Sequence, residues 1–222
     1  LAGVDDRTYF QNNYTSSNQV NINGTLNIVE NLSETQQITY ISSNMVYGES
    51  IKLPIDENHP TLANEQYALS KLIAENYIKS FSLNNNFNYI IIRNFNTFGP
   101  GQSIESLIPS LIIEGLKNKK IDVWSPNAIR DFQYVDSCAD NILNISLNND
   151  IKNEIINLGT GIKTTMKDLV DHICLKIGCE SISTSYKDPI SLESYANITK
   201  IKKFLGKTFV TTDLSKSLDK TI

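Results

Sequence analysis

Apolar positions recur along the chain in two rhythms, one typical of buried strands and the other typical of helices. Runs of β-branched and aromatic residues at 38–41, 89–92, 121–124 and 155–158 predict strands. Elsewhere apolar residues recur every three or four positions and predict helices at 20–30, 63–81, 107–116, 135–147 and 165–178. We therefore expect an α/β protein.

The predicted helix at 63–81 contains no proline or glycine. Its larger apolar residues are predicted to face a core, at helical spacing: Leu69, Leu72, Ile73, Tyr77 and Phe81. A second stripe beside them contains Tyr67, Lys71, Ala74 and Ile78. Because residues four apart share one face of a helix, the side chains of Tyr67 and Lys71 are expected to be neighbours.

This pair has a possible catalytic use. An unperturbed tyrosine has a pKa of about 10 and is a poor base at neutral pH. A lysine ammonium beside it favours the phenolate and lowers the phenol pKa toward the range of a working acid/base. Tyr67 and Lys71 are therefore candidate catalytic residues, although both types are also ordinary on helix surfaces.

Hydroxyl groups follow the run at 38–41, where Ser42 and Ser43 precede Gly48. In an open parallel sheet, ligands bind at the carboxyl ends of the strands. We therefore expect Ser43 to hydrogen-bond a substrate hydroxyl.

Three stretches carry a family resemblance in matching order and spacing: Y-I-S-S-N-M-V-Y-G at 40–48, Y-A-L-S-K-L-I-A-E at 67–75 and I-I-R-N-F-N-T-F-G-P-G at 91–101. R-D-F-Q-Y-V-D at 130–136 adds a fourth. The chain thereby resembles the extended short-chain dehydrogenase/reductases, in their nucleotide-sugar epimerase/dehydratase branch, which is typified by UDP-glucose 4-epimerase. The resemblance implies a Rossmann-like doubly wound parallel sheet, N-terminally incomplete here, with a smaller C-terminal substrate-binding lobe.

The same resemblance implies a division of the chain. Residues 1–103 are expected to form a partial NAD-binding domain with the catalytic residues. Residues 104–222 are expected to form mainly the substrate lobe, with about 130–160 returning to the core sheet. NAD is the expected cofactor, with NADP as the alternative.

The family match also assigns cofactor contacts. The backbone of Leu1, Ala2 and Gly3 matches the end of a strand that passes close to the dinucleotide, and Phe95 matches a residue beside the nicotinamide. Tyr67 and Lys71 are expected to reach the nicotinamide ribose. The glycine-rich turn that holds the pyrophosphate would precede Leu1. We therefore expect the sequence to be either a fragment of a longer enzyme or a truncated relative without its cofactor.

The substrate is expected to be a nucleotide-diphosphate sugar. By the family match, the residues that contact it are Ser43, Asn96, Ser106, Leu107, Arg130 and Lys187. The guanidinium fork of Arg130 suits a diphosphate, and Lys187 stands where a second arginine often lies. The alternative for Arg130 is a surface ion pair with Asp136.

Two residues after Ser43 favour one reaction over its relatives. Dehydratases of this branch carry an Asp-Glu pair there for the elimination of water, whereas this chain carries Asn44 and Met45. The resemblance therefore implies epimerisation at C4 through a transient 4-keto sugar. The alternatives are a reductase or dehydratase of nucleotide sugars, or a non-catalytic relative that binds them.

Composition restricts the other classes of function. A net charge of −4 argues against broad binding to nucleic acids or anionic membranes, and the cytoplasm is the expected location. Three cysteines without a C-x-x-C pattern and two separated histidines, His59 and His172, predict no disulfide framework and no metal site. The family implies a homodimer through the helices at 20–32 and 63–81.

Three local features have simple interpretations. The L-G-T-G stretch at 158–161 lacks the third glycine of a dinucleotide loop and the lysine of a P-loop, so we expect it to bind no phosphate. Thr165 is predicted to cap the helix that follows it. Asn21 is predicted to tie its helix to neighbouring backbone, and the small Gly24 is predicted to allow close helix packing.

Overall fold

The computed structural model describes residues 12–183 and 193–222. Its helices are α1 (Tyr14–Asn18), α2 (Gly24–Val29), α3 (Gln66–Asn85), α4 (Leu107–Asn118), α5 (Val135–Ser146), α6 (Met166–Ile177), α7 (Thr199–Leu205) and α8 (Leu214–Thr221). A π-helical turn, Gln19–Asn23, joins α1 to α2, and 3₁₀ turns span Asn44–Tyr47 and Gly206–Thr208. The strands are β1 (Gln37–Ser43), β2 (Asn88–Asn94), β3 (Asn96–Phe98), β4 (Lys120–Asp122), β5 (Ile129–Arg130), β6 (Phe132–Tyr134), β7 (Glu154–Leu158), β8 (Thr164–Thr165), β9 (Glu180–Ile182) and β10 (Glu193–Ser194).

The main sheet is parallel and has the strand order β1-β2-β7. Ser43 pairs with Asn94, and Asn94 pairs with Leu158, so all three strands end at the same edge. Helices cover both faces. The α2–α3 side packs around Val29, Ile78 and Phe87, and the opposite side packs strand residues against α5 and α7. The predicted α/β fold with a doubly wound parallel sheet is confirmed.

Smaller sheets occupy the second half of the chain. β5 lies between β8 and β10, β3 pairs with β6, and β4 pairs with β9. A separate apolar core joins α4, β6 and α6 through residues such as Leu111, Phe132 and Ile173. No helix in the two described ranges is both long and apolar enough to cross a membrane.

The predicted core-facing side of α3 is partly wrong. Leu69 and Tyr77 are 40% and 39% exposed, respectively. The inward face instead buries Ala74 and Ile78, which lie in the predicted second stripe, together with polar Glu75. The large apolar residues do not mark the inner face because buried polar groups on α3 find partners on other elements.

Asn21 and Gly24 lie on the helical segment that packs against α3. Asn21 is buried and its Nδ2 donates to the side-chain oxygen of Ser70 at 3.3 Å, so it links its helix to α3. The predicted bond to neighbouring backbone stays a prediction. A Cβ added to Gly24 would lie 4.0 Å from the nearest atom, the carbonyl oxygen of Gln19. The prediction that Gly24 permits close helix packing is therefore wrong. Thr165 caps α6 as predicted, because its hydroxyl accepts from Asp168 N at 3.0 Å.

A row of buried polar side chains crosses the sheet one residue before its carboxyl edge. Ser42, Arg93 and Asn157 are paired neighbours on β1, β2 and β7, and none is more than 3% exposed. Buried polar groups destabilise a fold unless they are hydrogen-bonded. Residues outside the sheet must therefore supply partners for this row.

Glu75 on α3 supplies most of these partners. Its carboxylate is fully buried and accepts from Ser42 Oγ at 2.6 Å and from Arg93 Nε and a terminal guanidinium nitrogen at 3.1 and 2.8 Å. Burial alone would lower the pKa of Arg93, but the hydrogen bonds and charge of Glu75 raise it above its ordinary value. The ion pair thus fixes α3 against two strands.

Tyr47 completes the row on the other side of Arg93. The Arg93 guanidinium lies 4.7 Å from the centre of the Tyr47 ring, and the Tyr47 hydroxyl donates to Asn157 Oδ1 at 2.6 Å. Burial raises the pKa of Tyr47 to about 12 despite the cation beside it. Tyr47 is therefore a neutral hydrogen-bond donor at physiological pH, with a structural role.

Replacing Glu75 by glutamine should leave the Arg93 cation buried without its counter-charge. We expect Glu75→Gln to lower the free energy of unfolding by about 3–5 kcal/mol, as measured by urea denaturation. The same change in the half-exposed pair between Glu154 and Lys200, Glu154→Gln, should lower it by less than about 1 kcal/mol. Equal losses in the two variants would contradict the importance of the buried pair.

Candidate functional site

Tyr67 and Lys71 lie in the first two turns of α3, beside the carboxyl half of β1. Lys71 Nζ donates to the carbonyl oxygen of Ile41 at 3.0 Å and lies 5.8 Å from the centre of the Tyr67 ring. Both side chains are half-buried. The structure thus brings together the two residues that sequence spacing predicted to be neighbours.

A second tyrosine, Tyr40, also lies close to the lysine. Lys71 Nζ is 5.2 Å from the centre of the Tyr40 ring. Tyr40 points from β1 toward α2 and α3, where it packs in the same core as Ile78. Burial, the neighbouring Tyr67 and the Glu75 carboxylate all raise the pKa of Tyr40 above its ordinary value, so its hydroxyl stays protonated.

Ser43 is the last residue of β1 and is buried. Its Oγ accepts from the backbone N–H of Met45 at 3.2 Å and thereby caps the 3₁₀ turn Asn44–Tyr47. A hydroxyl that accepts in this way keeps its proton for donation to another oxygen. Ser43 thus lies at the carboxyl end of β1, and its contact with a substrate hydroxyl stays a prediction.

Phe95 and Asn96 follow β2 at the same edge of the sheet. Phe95 is 2% exposed and its N–H donates to the carbonyl oxygen of Leu158 at 2.9 Å. Asn96 Nδ2 donates to the carbonyl oxygen of Asp131 at 3.0 Å. The Asn96 side chain therefore links the end of β2 to the backbone beside Arg130.

The Asp131 carboxylate organises the loop after β7. It is fully buried and accepts from the backbone N–H groups of Thr160, Gly161 and Ala196 at 2.8, 2.9 and 3.1 Å. The Thr160 hydroxyl donates to it as well. A Cβ added to Gly159 would lie 2.6 Å from Asp131 Oδ2, so this approach requires glycine. The amides of the L-G-T-G stretch thus bind a carboxylate of the chain itself, in agreement with the prediction that it is no phosphate loop.

Arg130 is connected to the end of β1 through β10. It pairs with Ser194 in the small sheet, and the Ser194 hydroxyl accepts from Asn44 Nδ2 at 3.1 Å. One guanidinium nitrogen of Arg130 donates to the carbonyl oxygen of Ile129 at 2.9 Å. Asn44 directly follows Ser43. The bond between Asn44 and Ser194 therefore connects β10, which pairs with the strand of Arg130, to the end of β1.

The other predicted site residues take no part in these contacts. Ser106 and Leu107 lie at the start of α4, where Leu107 is 44% exposed and the next turn packs into the second core. Leu1, Ala2, Gly3 and Lys187 lie outside the described residues. Their roles stay predictions.

Three supporting residues escaped the sequence reasoning. Glu75, Asp131 and Tyr40 each lie within a quoted motif, but their partners come from distant positions. The available signal for Glu75 was its spacing, because it lies four residues after Lys71 and eight after Tyr67 and so shares their side of the helix. Within residues 12–183 and 193–222, no group of three or more potential metal ligands occurs.

Comparison with known proteins gives a family match over most of the chain. The model of the NAD dependent epimerase/dehydratase family matches residues 2–159. A putative UDP-glucose 4-epimerase from Methanocaldococcus jannaschii is 37% identical, over 83% of this chain and 61% of the relative. The dTDP-4-dehydro-6-deoxyglucose reductase of Escherichia coli is 28% identical, over 82% of this chain and 57% of the relative.

A solved structure agrees over the whole chain. The UDP-N-acetylglucosamine 4-epimerase of Methanobrevibacter ruminantium, in complex with UDP-N-acetylmuramic acid, superposes with a TM-score of 0.83 at 26% identity. The superposition covers 100% of this chain and 73% of that structure. The chain thus spans about three fifths of the length of the two curated relatives named above. On the family match, this chain belongs to the NAD dependent epimerase/dehydratase family.

Proposed function

We propose that the protein carrying this chain catalyses NAD-dependent epimerisation at C4 of a nucleotide-diphosphate sugar. The observation that carries the proposal is the position of Lys71, hydrogen-bonded to Ile41 and close to Tyr67, beside the strand end that bears Ser43. This arrangement suits removal of a proton from a sugar hydroxyl and its later return. NAD, when bound, accepts a hydride from the same sugar carbon and gives it back.

The residues at the site fit the nicotinamide end of such a cofactor. The carboxyl ends of three parallel strands meet at Ser43, Asn94 and Leu158, which is where open parallel sheets bind ligands. We assign Tyr67, Lys71 and Phe95 to this end of the cofactor, with Leu1, Ala2 and Gly3 further along it. NADP is the alternative to NAD.

In the proposed mechanism, Tyr67 acts as the acid/base. The Lys71 ammonium stabilises the Tyr67 phenolate, which takes the proton of the C4 hydroxyl as that carbon becomes a ketone. The Ser43 hydroxyl donates a hydrogen bond to the same sugar oxygen and holds that oxygen in place. After the keto sugar has turned in the pocket, Tyr67 returns the proton to the oxygen on the other stereoisomer.

Substrate binding is assigned to residues on both sides of the site. Asn96 contacts the sugar, Arg130 and Lys187 bind the diphosphate, and Ser106 and Leu107 line the nucleotide-sugar pocket. The Asn96 amide already bonds to the backbone of Asp131, which follows Arg130. That link supports a joint role for Asn96 and Arg130 along one extended ligand.

The residues after Ser43 support epimerisation over dehydration. Neither the amide of Asn44 nor the thioether of Met45 exchanges a proton at neutral pH. Asn44 is engaged with Ser194 at 3.1 Å, which gives it a structural task in this position. A keto-sugar reductase is the second candidate, because the Escherichia coli relative named above is one.

Product analysis with the full-length protein tests the reaction. Incubated with UDP-glucose and NAD, an epimerase should give a mixture of two C4 stereoisomers with no net formation of NADH. A reductase should instead consume NADH or NADPH in proportion to a keto-sugar substrate. Loss of the mass of one water from the sugar would identify a dehydratase and overturn the proposal.

Tyr67→Phe removes the proposed acid/base and keeps the ring. We expect its turnover to fall by a factor of about a hundred to ten thousand, with the cofactor still bound, as measured by steady-state kinetics and by absorbance. Tyr14→Phe, in an exposed tyrosine of α1, should leave turnover unchanged. Near-normal turnover of Tyr67→Phe would exclude Tyr67 as the acid/base.

We also propose that the division of labour follows the chain. Residues 1–103 bind the cofactor and carry the catalytic residues, and residues 104–222 mainly bind the substrate, with 130–160 returning to the main sheet. The pairing of β7 with β2 supports that return. In hydrogen exchange, NAD alone should protect amides mainly before residue 104, and UDP-glucose should add protection mainly after it. Uniform protection by NAD would contradict the division.

A homodimer through residues 20–32 and 63–81 is part of the proposal. Both segments expose apolar side chains, among them Val20, Ile28, Leu69 and Tyr77.

The free thiols of the chain, with Cys138 and Cys174 buried, support a reducing compartment such as the cytoplasm, where cell fractionation should find the protein.

A charge in this face should separate the subunits. We expect Leu69→Glu to give a monomer in sedimentation equilibrium, because an ionised carboxylate in an apolar interface is unfavourable. Leu83→Glu, at an exposed leucine of the same helix beyond the proposed interface, should remain dimeric. A dimeric Leu69→Glu variant would place the interface elsewhere.

A further inference from the structure

The Lys71 ammonium lies near two aromatic rings, and only one of them belongs to the proposed acid/base. The ammonium lies 5.2 Å from the centre of the Tyr40 ring and 5.8 Å from that of Tyr67. Cations within about 6 Å of a ring centre are attracted by the negative face of the ring. The Tyr40 ring is therefore a second attractive surface for Lys71, besides the ring of Tyr67.

Two contacts from β1, a hydrogen bond and an aromatic ring, fix the position of the ammonium. The carbonyl oxygen of Ile41 accepts its hydrogen bond at 3.0 Å, and the preceding residue, Tyr40, provides the ring. Lysine has four rotatable bonds and loses much conformational freedom when it is held in one place. A hydrogen bond and a ring on adjacent residues of one rigid strand restrict it to the side where Tyr67 lies.

We propose that Tyr40 is a positioning residue, whose ring holds the Lys71 ammonium beside the Tyr67 phenol. This inference rests on the proposed acid/base role of Tyr67. Tyr40 acts through the face of its ring and takes no part in proton transfer. Burial and its neighbours raise the pKa of Tyr40, so it stays neutral and adds no competing negative charge beside the lysine.

The surroundings of the cluster agree with this role. Its titratable and charged neighbours among the described residues include Tyr67, Glu75 and Lys79 from α3, Tyr40 from β1 and Arg93 from β2. Glu75 is engaged by Arg93 and Ser42, which leaves its charge largely compensated. From the neighbouring helices, Asn21 and Thr25 contribute uncharged groups. Tyr40 is thus the aromatic contact of Lys71 that the proposed chemistry does not itself use.

The test compares variants of Tyr40 with and without an aromatic ring, in the full-length protein with NAD bound. In Tyr40→Leu the ammonium loses its ring, so it stabilises the Tyr67 phenolate less and the phenol pKa rises. The acidic limb of the pH–rate profile should therefore move to higher pH by about half a unit to one unit. On that limb, turnover should fall about three- to tenfold. Tyr40→Phe keeps the ring and should restore the wild-type profile.

Two further measurements separate this inference from the proposed function. In the Lys71→Met background, Tyr40→Leu should cause no additional shift, because the cation that the ring holds is absent. Phenolate absorbance, titrated with and without the Tyr67→Phe change, reports ionisation of Tyr67 without any turnover. It should show the same upward shift in Tyr40→Leu even if the substrate has been assigned wrongly. Tyr40→Met replaces Tyr40→Leu if the latter does not fold.

Each outcome decides one question. An unchanged profile and titration in the ring-free variant, or equal shifts in Tyr40→Leu and Tyr40→Phe, would overturn the positioning role. A persistent shift in the Lys71→Met background would overturn it as well. If the wild-type protein turns over no nucleotide sugar but the phenolate titration shifts as expected, the proposed function fails and the role of Tyr40 stands.

Discussion

The buried carboxylate of Glu75 is the constraint on which the proposed catalytic edge depends. A charge at this depth is tolerated only with a full set of partners, and it finds them in Ser42 and Arg93 on two neighbouring strands. Because Glu75 lies one turn after Lys71 and two after Tyr67, fixing it also fixes the rotation of α3 against the sheet. The position of the proposed acid/base pair is therefore set from beneath, by an interaction that takes no part in the chemistry.

A second buried carboxylate does the same for the other half of the chain. Asp131 binds backbone amides of Thr160, Gly161 and Ala196, which come from two separate segments of the chain. The backbone carbonyl of Asp131 also receives the amide of Asn96. One residue thus joins the loop after β7, the segment after β10 and the end of β2. Glu75 thus orients α3, and Asp131 holds together the segments after β7 and β10.

Sequence reasoning found the parts of this site that follow from local spacing and failed where distant partners decide. The Tyr67–Lys71 pair follows from helical geometry, and the position of Ser43 follows from a strand that breaks into hydroxyls. The exposure of Leu69 and Tyr77 could not be predicted by counting apolar residues, because buried Glu75 and Ser70 occupy the inner face and have partners 18 and 49 positions away. The role of Tyr40 was hidden for the same reason, since only the fold places its ring beside Lys71.

The polar contacts around Ser43 suggest how one scaffold can serve several reactions. Hydride transfer needs the acid/base, its lysine and the strand edge, all of which the deep polar row supports independently of Asn44 and Met45. Asn44 instead reaches outward to Ser194, which pairs with Arg130. A carboxylate at this position would add a proton-exchanging group, and it would also exchange the amide donor for an acceptor at the contact with β10. The Ser194 hydroxyl can donate as well as accept, so it could reverse its role toward such a carboxylate, and the contact with β10, which pairs with the strand of Arg130, would survive a change of reaction.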